Sequence, residues 1–387
     1  MSKNPNYPSI FNDVIGPVMR GPSSSHCAAS VRIGRLARDL MDGKISQVKI
    51  QFDSGGSLAT THESQGTDMG LFGGFLGWDA SDDRLVNSET ALKGAGIAVE
   101  IEVKGLDDPH PNTYHIHLEN TSEAHDLVAL SIGGGMIEVI AIDGFPIYLA
   151  GDYYETLIYV ERDGEALRGF LESRIAADQI NLFNGEHGEM LEVKAQSFLD
   201  EDLLAELSSR FQVRALKRLN PVLPVLSRAE VQVPFTTPDE MTAYNQGGNL
   251  PLWELGLQYE SARGYISHQE TFERMRSIVN IMEAAVQDGL AGTQYADRIL
   301  GYQSGGFQST LEGGRLLDGG MLNRMILYTT AIMEVKSAMG LIVAAPTAGA
   351  CGGLPGAVIA AAHQEDYTQD DIVRAMFAAG LIGVFIA

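Results

Sequence analysis

Cysteine is nearly absent: Cys27 and Cys351 are the only two in 387 residues. A disulfide framework is thereby excluded, and a reducing, cytoplasmic setting is expected. Positive charge is scarce, with 27 Lys and Arg against 50 Asp and Glu and a net charge of −23. Such a surface repels nucleic acid and anionic lipid, so neither is expected as a partner. No apolar run has membrane-spanning length with suitable flanks. Met1 to Pro8 is polar and lacks the basic-then-apolar order of a secretion signal. Internal repeats and low-complexity segments are missing too. Late lysines are few: Lys336 is the only one after Lys217, and it lies in a helical stretch. A pyridoxal-phosphate enzyme needs a Schiff-base lysine beside a phosphate cradle, which this does not provide.

What is present describes a globular chain. Hydrophobic residues make up 45%, enough for a real core, and the length suits two or three domains. The expected fold class is α+β: a mixed α/β domain over 1–150, a βαββαβ domain over 151–220, a linker over 221–240, and a mostly α-helical domain over 241–387. Ile33, Leu36, Ala37, Leu40 and Met41 share one helix face. Val48, Ile50 and Phe52 alternate as a strand does, as do Ile97, Val99, Ile101 and Val103, and then Tyr114, Ile116 and Leu118. Asp143-Gly144 reads as a hairpin turn. In the second domain Thr156 to Glu161 is a strand, and Leu167, Phe170, Leu171 and Ile175 mark a helix. Ile180–Phe183 and Met190–Ala195 pair across Asn184-Gly185, and Leu203, Leu204 and Leu207 mark a second helix before a last strand. That order is similar to the ACT domain, a ferredoxin-like module.

Pro221, Pro224, Pro234 and Pro238 punctuate the linker. Beyond it Ser267 to Glu270 is a capping box ahead of a stripe of Phe272, Met275, Val279, Met282 and Val286. A second helix is expected from about Asp318 to Met339. Thr368 to Asp371 opens another, which reaches Ala387 without a Gly or Asn cap.

Three groups of residues offer chemistry. In Gly21-Pro22-Ser23-Ser24-Ser25-His26, three hydroxyls and an imidazole precede a helix, where free N–H groups favour an anion. An N-cap with spare serines explains the same string. Gly55-Gly56-Ser57, Gln65-Gly66-Thr67-Asp68 and Ser131-Ile132-Gly133-Gly134-Gly135 are small polar loops that let backbone approach a ligand; each alone reads more readily as a turn than as a site. The glycine triplet lacks the spacing of a dinucleotide fingerprint. Finally, Cys351 sits among glycines in Ala345 to Gly356, before a helix. A thiolate there suits a nucleophile or a metal ligand, although a lone cysteine is ordinarily a small buried hydrophobe.

In order and wording these segments, together with His110-Pro111-Asn112-Thr113, resemble the iron–sulfur-dependent L-serine dehydratases, or L-serine ammonia-lyases. The resemblance spans nearly the whole chain: a β part, an ACT-like module and an α part in one fusion. It implies a [4Fe–4S] cluster whose open iron acts as Lewis acid on the substrate hydroxyl, yielding pyruvate and ammonia. Cys351 would be the first cluster ligand. Ser23, Ser24, Ser25, His26, Ser57, Gln65, Thr67 and Asp68 would serve catalysis. Ser131, Gly133, Gly134, Gly135, Thr347, Ala348 and Gly349 would shape the pocket for a small amino-acid substrate. A homodimer is expected.

Four features depart from that pattern. The family's further cluster cysteines fall past Ala387, so a chain incomplete at its C-terminus is expected, and Cys27 stands where threonine is usual. Gln65 replaces a histidine, and glutamine is no general base. His62 is either its substitute or a surface histidine. Asp163-Gly164-Glu165 replaces a glycine- and hydrophobe-rich effector loop, so a structural role for the module is as well supported as effector binding. The reading from a different class is a non-catalytic amino-acid sensor.

Overall fold

The structure is a computed structural model that describes residues 7–185, 188–296 and 300–386. The reading of Met1 to Pro8 therefore falls mostly outside the described residues, as does Ala387. The chain forms two compact units. One comprises Ala29–Asp79 and Asn87–Glu230 and holds most of the strands. The other comprises Met1–Ala28, Ala80–Val86 and Val231–Ala387 and is mostly helical. The architecture is α+β, with β-rich structure ahead of a helical C-terminal region.

In the sheet unit, the strands are β1 (Gln47–Asp53), β2 (Ala98–Lys104), β3 (Thr113–Glu119), β4 (Ala124–Gly133), β5 (Met136–Ile142) and β6 (Phe145–Leu149). They lie in the order β2-β1-β3-β4-β5-β6, and only β1 and β2 run parallel. The alternation read from sequence is the reason: Val48, Ile50, Phe52, Tyr114, Ile116 and Leu118 are all buried. Asp143 and Gly144, both at positive φ, make the β5–β6 turn as expected. Helices α1 (Ala29–Leu40) and α2 (Thr67–Phe75) also belong to this unit, and Ile33, Leu36, Ala37 and Leu40 bury the predicted face. The two helices meet at Gly34 and Gly74. A Cβ on Gly74 would come within 2.5 Å of the Val31 carbonyl oxygen, and one on Gly34 within 2.7 Å of that of Leu71.

The chain continues through β7 (Tyr154–Val160), α3 (Gly164–Glu172), β8 (Gln179–Gly185), β9 (Gly188–Ala195), α4 (Glu201–Arg210) and β10 (Val213–Leu219). This is the predicted βαββαβ order, antiparallel throughout, with strands arranged β10-β7-β9-β8. One face, with Ile158, Val160, Leu191 and Val193, packs on Leu167, Leu171, Leu203, Leu204 and Leu207 of the two helices. The other, with Leu157, Tyr159, Met190 and Leu219, joins the core of the six-stranded sheet. Two local expectations are corrected. Ile175 lies beyond the end of α3 at Glu172. Asn184 and Gly185 are within the β8–β9 ladder, paired with Glu189 and Gly188, because neither takes the positive φ that an Asn-Gly turn needs. The Asp163-Gly164 loop is tied down: the Gly164 N–H donates to Glu189 Oε2 at 2.7 Å, and a Cβ on Gly164 would meet Leu182 at 2.6 Å.

No helix or strand lies between Leu219 and Pro238, as the prolines predict. The helical unit then contains α5 (Leu252–Gly264), α6 (His268–Ala291), α7 (Met321–Ser337), α8 (Gly353–Gln364) and α9 (Gln369–Val384). Ser267 caps α6 by accepting from the Glu270 N–H, and Met275, Val279, Met282 and Val286 are buried behind it. The Thr368–Asp371 capping box is complete. Val18–Arg20 pairs antiparallel with Leu341–Val343, bringing residues near Ser23 close to those near Thr347 within this unit.

Candidate active site

The helical unit carries the first set of candidate residues. Residues Ser24–Ala28 form a single wide helical turn. Ser23 Oγ and Ser25 Oγ lie 3.0 and 3.1 Å from His26 Nδ1, and 3.2 Å from each other. All three side chains are half-buried. Burial holds the His26 imidazole below its ordinary pKa of 6.5, so it is neutral at pH 7. Ser24 differs from its neighbours: it is 3% exposed, and its Oγ accepts from the Ala348 N–H at 3.3 Å. Two motifs 324 residues apart in sequence are thus joined by a hydrogen bond. Ser24 is a buried fastener. Thr347 and Gly349 flank Ala348 on an exposed turn.

Both cysteines are fully buried. The Cys351 S–H donates to Met333 Sδ at 3.8 Å, and desolvation pushes the thiol up to about 12. Burial pushes Cys27 up to about 12 as well.

The sheet unit carries the second set. Ser57 donates its N–H to the Pro111 carbonyl at 2.9 Å and its hydroxyl to Asn112 Oδ1. The Asn112 carbonyl accepts from the Ser131 N–H at 3.1 Å. Asn112, which the sequence places in a motif without giving it a role, therefore links two predicted loops. Gly134 and Gly135, at φ 61 and 87, form the β4–β5 turn, and buried Arg32 donates to the Gly135 carbonyl. Arg32 gives no local signal of this role, because it looks like any helical arginine.

After Ser57 a short helix, Leu58–Thr61, delivers His62. Gly66 at φ 82 then redirects the chain into α2, a left-handed turn that a side chain would strain. His62 Nδ1 faces both carboxylate oxygens of Asp68, at 2.9 and 2.8 Å. Burial pushes the Asp68 carboxyl up, and the His62 hydrogen bond opposes it. Thr67 is fully buried, and its Oγ1 has no hydrogen-bond partner among the described residues. Gln65 is half-buried beside them in sequence.

A [4Fe–4S] cluster that leaves one iron open takes about three protein thiolates. Among the described residues no group of three His, Cys, Asp or Glu is placed to hold a metal ion. Two thiols fall short of that number, so these residues alone do not fit the group. Among the described residues, no helix is long and apolar enough to cross a membrane.

Residues 239–387 match the family model "Serine dehydratase alpha chain". The chain is 34% identical over 209 residues to the probable L-serine dehydratase beta chain of Bacillus subtilis (strain 168), covering 52% of this chain and 93% of that one. It is also 34% identical over 173 residues to the L-serine dehydratase beta chain of Peptoniphilus asaccharolyticus, covering 44% and 76%. To the probable alpha chain of Bacillus subtilis (strain 168) it is 33% identical over 119 residues, 31% of this chain and 40% of that one. Beta-chain relatives matched over most of their length, with alpha-chain similarity on the same polypeptide, establish that the chain belongs to the L-serine dehydratase family.

Proposed function

We propose that this chain dehydrates and deaminates L-serine, or a closely related small hydroxy amino acid, to a 2-oxo acid and ammonia. The observation that carries the reading is the joint likeness to beta and alpha chains named for L-serine dehydration. The Ser23–Ser25–His26 group supports it chemically. Two hydroxyls and a neutral imidazole suit a zwitterion: hydroxyls donate to a carboxylate, and the imidazole accepts from an ammonium. The Ser57–Asn112–Ser131 tie keeps Ser57 close to the β4 loop, which suits a role in positioning. Gln65 has no basic lone pair, so the α-proton must go to another group.

In this reading Cys351 would be one of the thiolates that hold an iron–sulfur cluster, which would supply Lewis-acid chemistry when bound. These 387 residues hold two cysteines, so further ligands to such a cluster would come from outside them.

The test is the native protein purified without oxygen from the cells that make it. It is offered serine, threonine and cysteine of both hands. Release of equal amounts of 2-oxo acid and ammonia from one of them is expected. Saturable binding of an amino acid without release of either product would overturn the proposal.

A further inference from the structure

We infer that His62 is the base that removes the substrate's α-proton, with Asp68 as its positioning partner; this rests on the reaction proposed above. The geometry is that of a coupled imidazole and carboxylate. His62 Nδ1 lies 2.8 and 2.9 Å from the two Asp68 oxygens. A carboxylate that accepts from Nδ1–H fixes the tautomer and leaves the basic lone pair on Nε2. The pairing requires the local fold: the left-handed Gly66 returns the chain so that Asp68, in the first turn of α2, meets a histidine six residues earlier.

Three further observations distinguish this pair from a surface ion pair. The two side chains are 18% and 16% exposed, shielded yet reachable. The Phe52 ring lies 5.5 Å from the imidazole, an apolar wall on one side. The adjacent Thr67 hydroxyl is buried with no protein partner among the described residues. An orphaned buried hydroxyl in a folded chain marks a place where a ligand or ordered water supplies the bond. Besides His62, the Asp68 carboxyl feels the charges of Glu63 and Glu89, both acidic.

The step balances without an added reactant. His62 Nε2 takes the proton from Cα, and the released electron pair becomes the Cα–Cβ double bond. The Cβ–O bond breaks and the hydroxyl leaves as hydroxide, which takes a proton from solvent to become water. The imidazolium, held by Asp68, later returns its proton to solvent. Tautomerisation of the enamine and hydrolysis of the imine consume one water and give the 2-oxo acid and ammonia.

The test uses native protein carrying His62→Asn or Asp68→Asn. His62→Asn should lower kcat by about 10²-fold or more while KM stays within a few-fold. Asp68→Asn should lower kcat less, because the imidazole stays in place but loses the carboxylate that fixes its Nδ1–H tautomer. An unchanged kcat in His62→Asn, with the parent active, would overturn the inference and leave the proposed function standing. Nitrogen NMR of the labelled chain gives a readout independent of turnover. It should show His62 protonated at Nδ1 in the neutral form, with that preference lost in Asp68→Asn. An Nε2–H tautomer in the parent would overturn the inference even if no substrate is turned over.

Discussion

Ser24 and His26 show how residues two positions apart take different jobs. The Ser24 hydroxyl is committed to the Ala348 N–H in a buried setting, whereas Ser25 and His26 are partly open. Ser24→Ala should therefore act on stability: leaving a buried N–H unpaired costs about 1–3 kcal/mol. The melting temperature should fall with KM nearly unchanged, whereas Ser25→Ala and His26→Ala should raise KM with little change in melting temperature. Calorimetry with initial-rate measurements separates the two. His26 also carries a pH dependence. Its folded pKa is depressed by burial, so the unfolded chain binds the proton more readily. Its contribution to stability is complete above the unfolded value near 6.5 and is lost as pH falls through the folded one. The melting temperature should drop on acidification below about pH 6.5, and His26→Asn should drop less; equal slopes would contradict the assignment. Residue types were legible in the sequence at these sites, but partners were not. A hydrogen bond to a residue 324 positions away leaves no local pattern, and nothing in the string of serines marks Ser24 as the one that makes it.

Elements were more legible, because periodicity is a direct record of burial. The α1 stripe, the β1 and β3 alternation and the Thr368 capping box all appear where sequence places them. The failures are instructive: Asn184-Gly185 has the letters of a turn, but the ladder runs through it, since pairing with Gly188 and Glu189 outweighs local preference. The contact of α1 with α2 was not legible, because a glycine in a helix does not announce which backbone approaches it. Gly74→Ala should destabilise the sheet unit. The added methyl meets the Val31 carbonyl and Gly34 Cα at 2.5 and 2.7 Å. Such overpacking costs about 1–3 kcal/mol, more than the roughly 1 kcal/mol that alanine gains in a helix interior. Gly94→Ala, with nothing within 4 Å, is the control and should be neutral or slightly stabilising in denaturant titrations. Equal midpoints for the two variants would contradict the close-approach account.

For the whole molecule, the strongest constraints are charge and thiol count. These 387 residues carry a net charge of −23 and two buried cysteines, and two thiols do not complete a cluster site. Anaerobic reconstitution of these 387 residues by themselves should give well under one cluster per chain; stoichiometric iron and sulfide would show that the ligand count is wrong. The family was legible from ordered motifs, since each short string is weak alone but their succession is specific. The pairing of His62 with Asp68 was not, because it depends on the turn at Gly66. Dehydration remains the central claim, and deuterium at Cα tests it most directly. Native protein, kept without oxygen, is given L-serine deuterated at Cα and the products are read by mass spectrometry. Loss of the deuteron to solvent, a primary isotope effect, and pyruvate with one ammonia are expected. Hydroxypyruvate, which keeps the hydroxyl that dehydration must expel, would contradict the account.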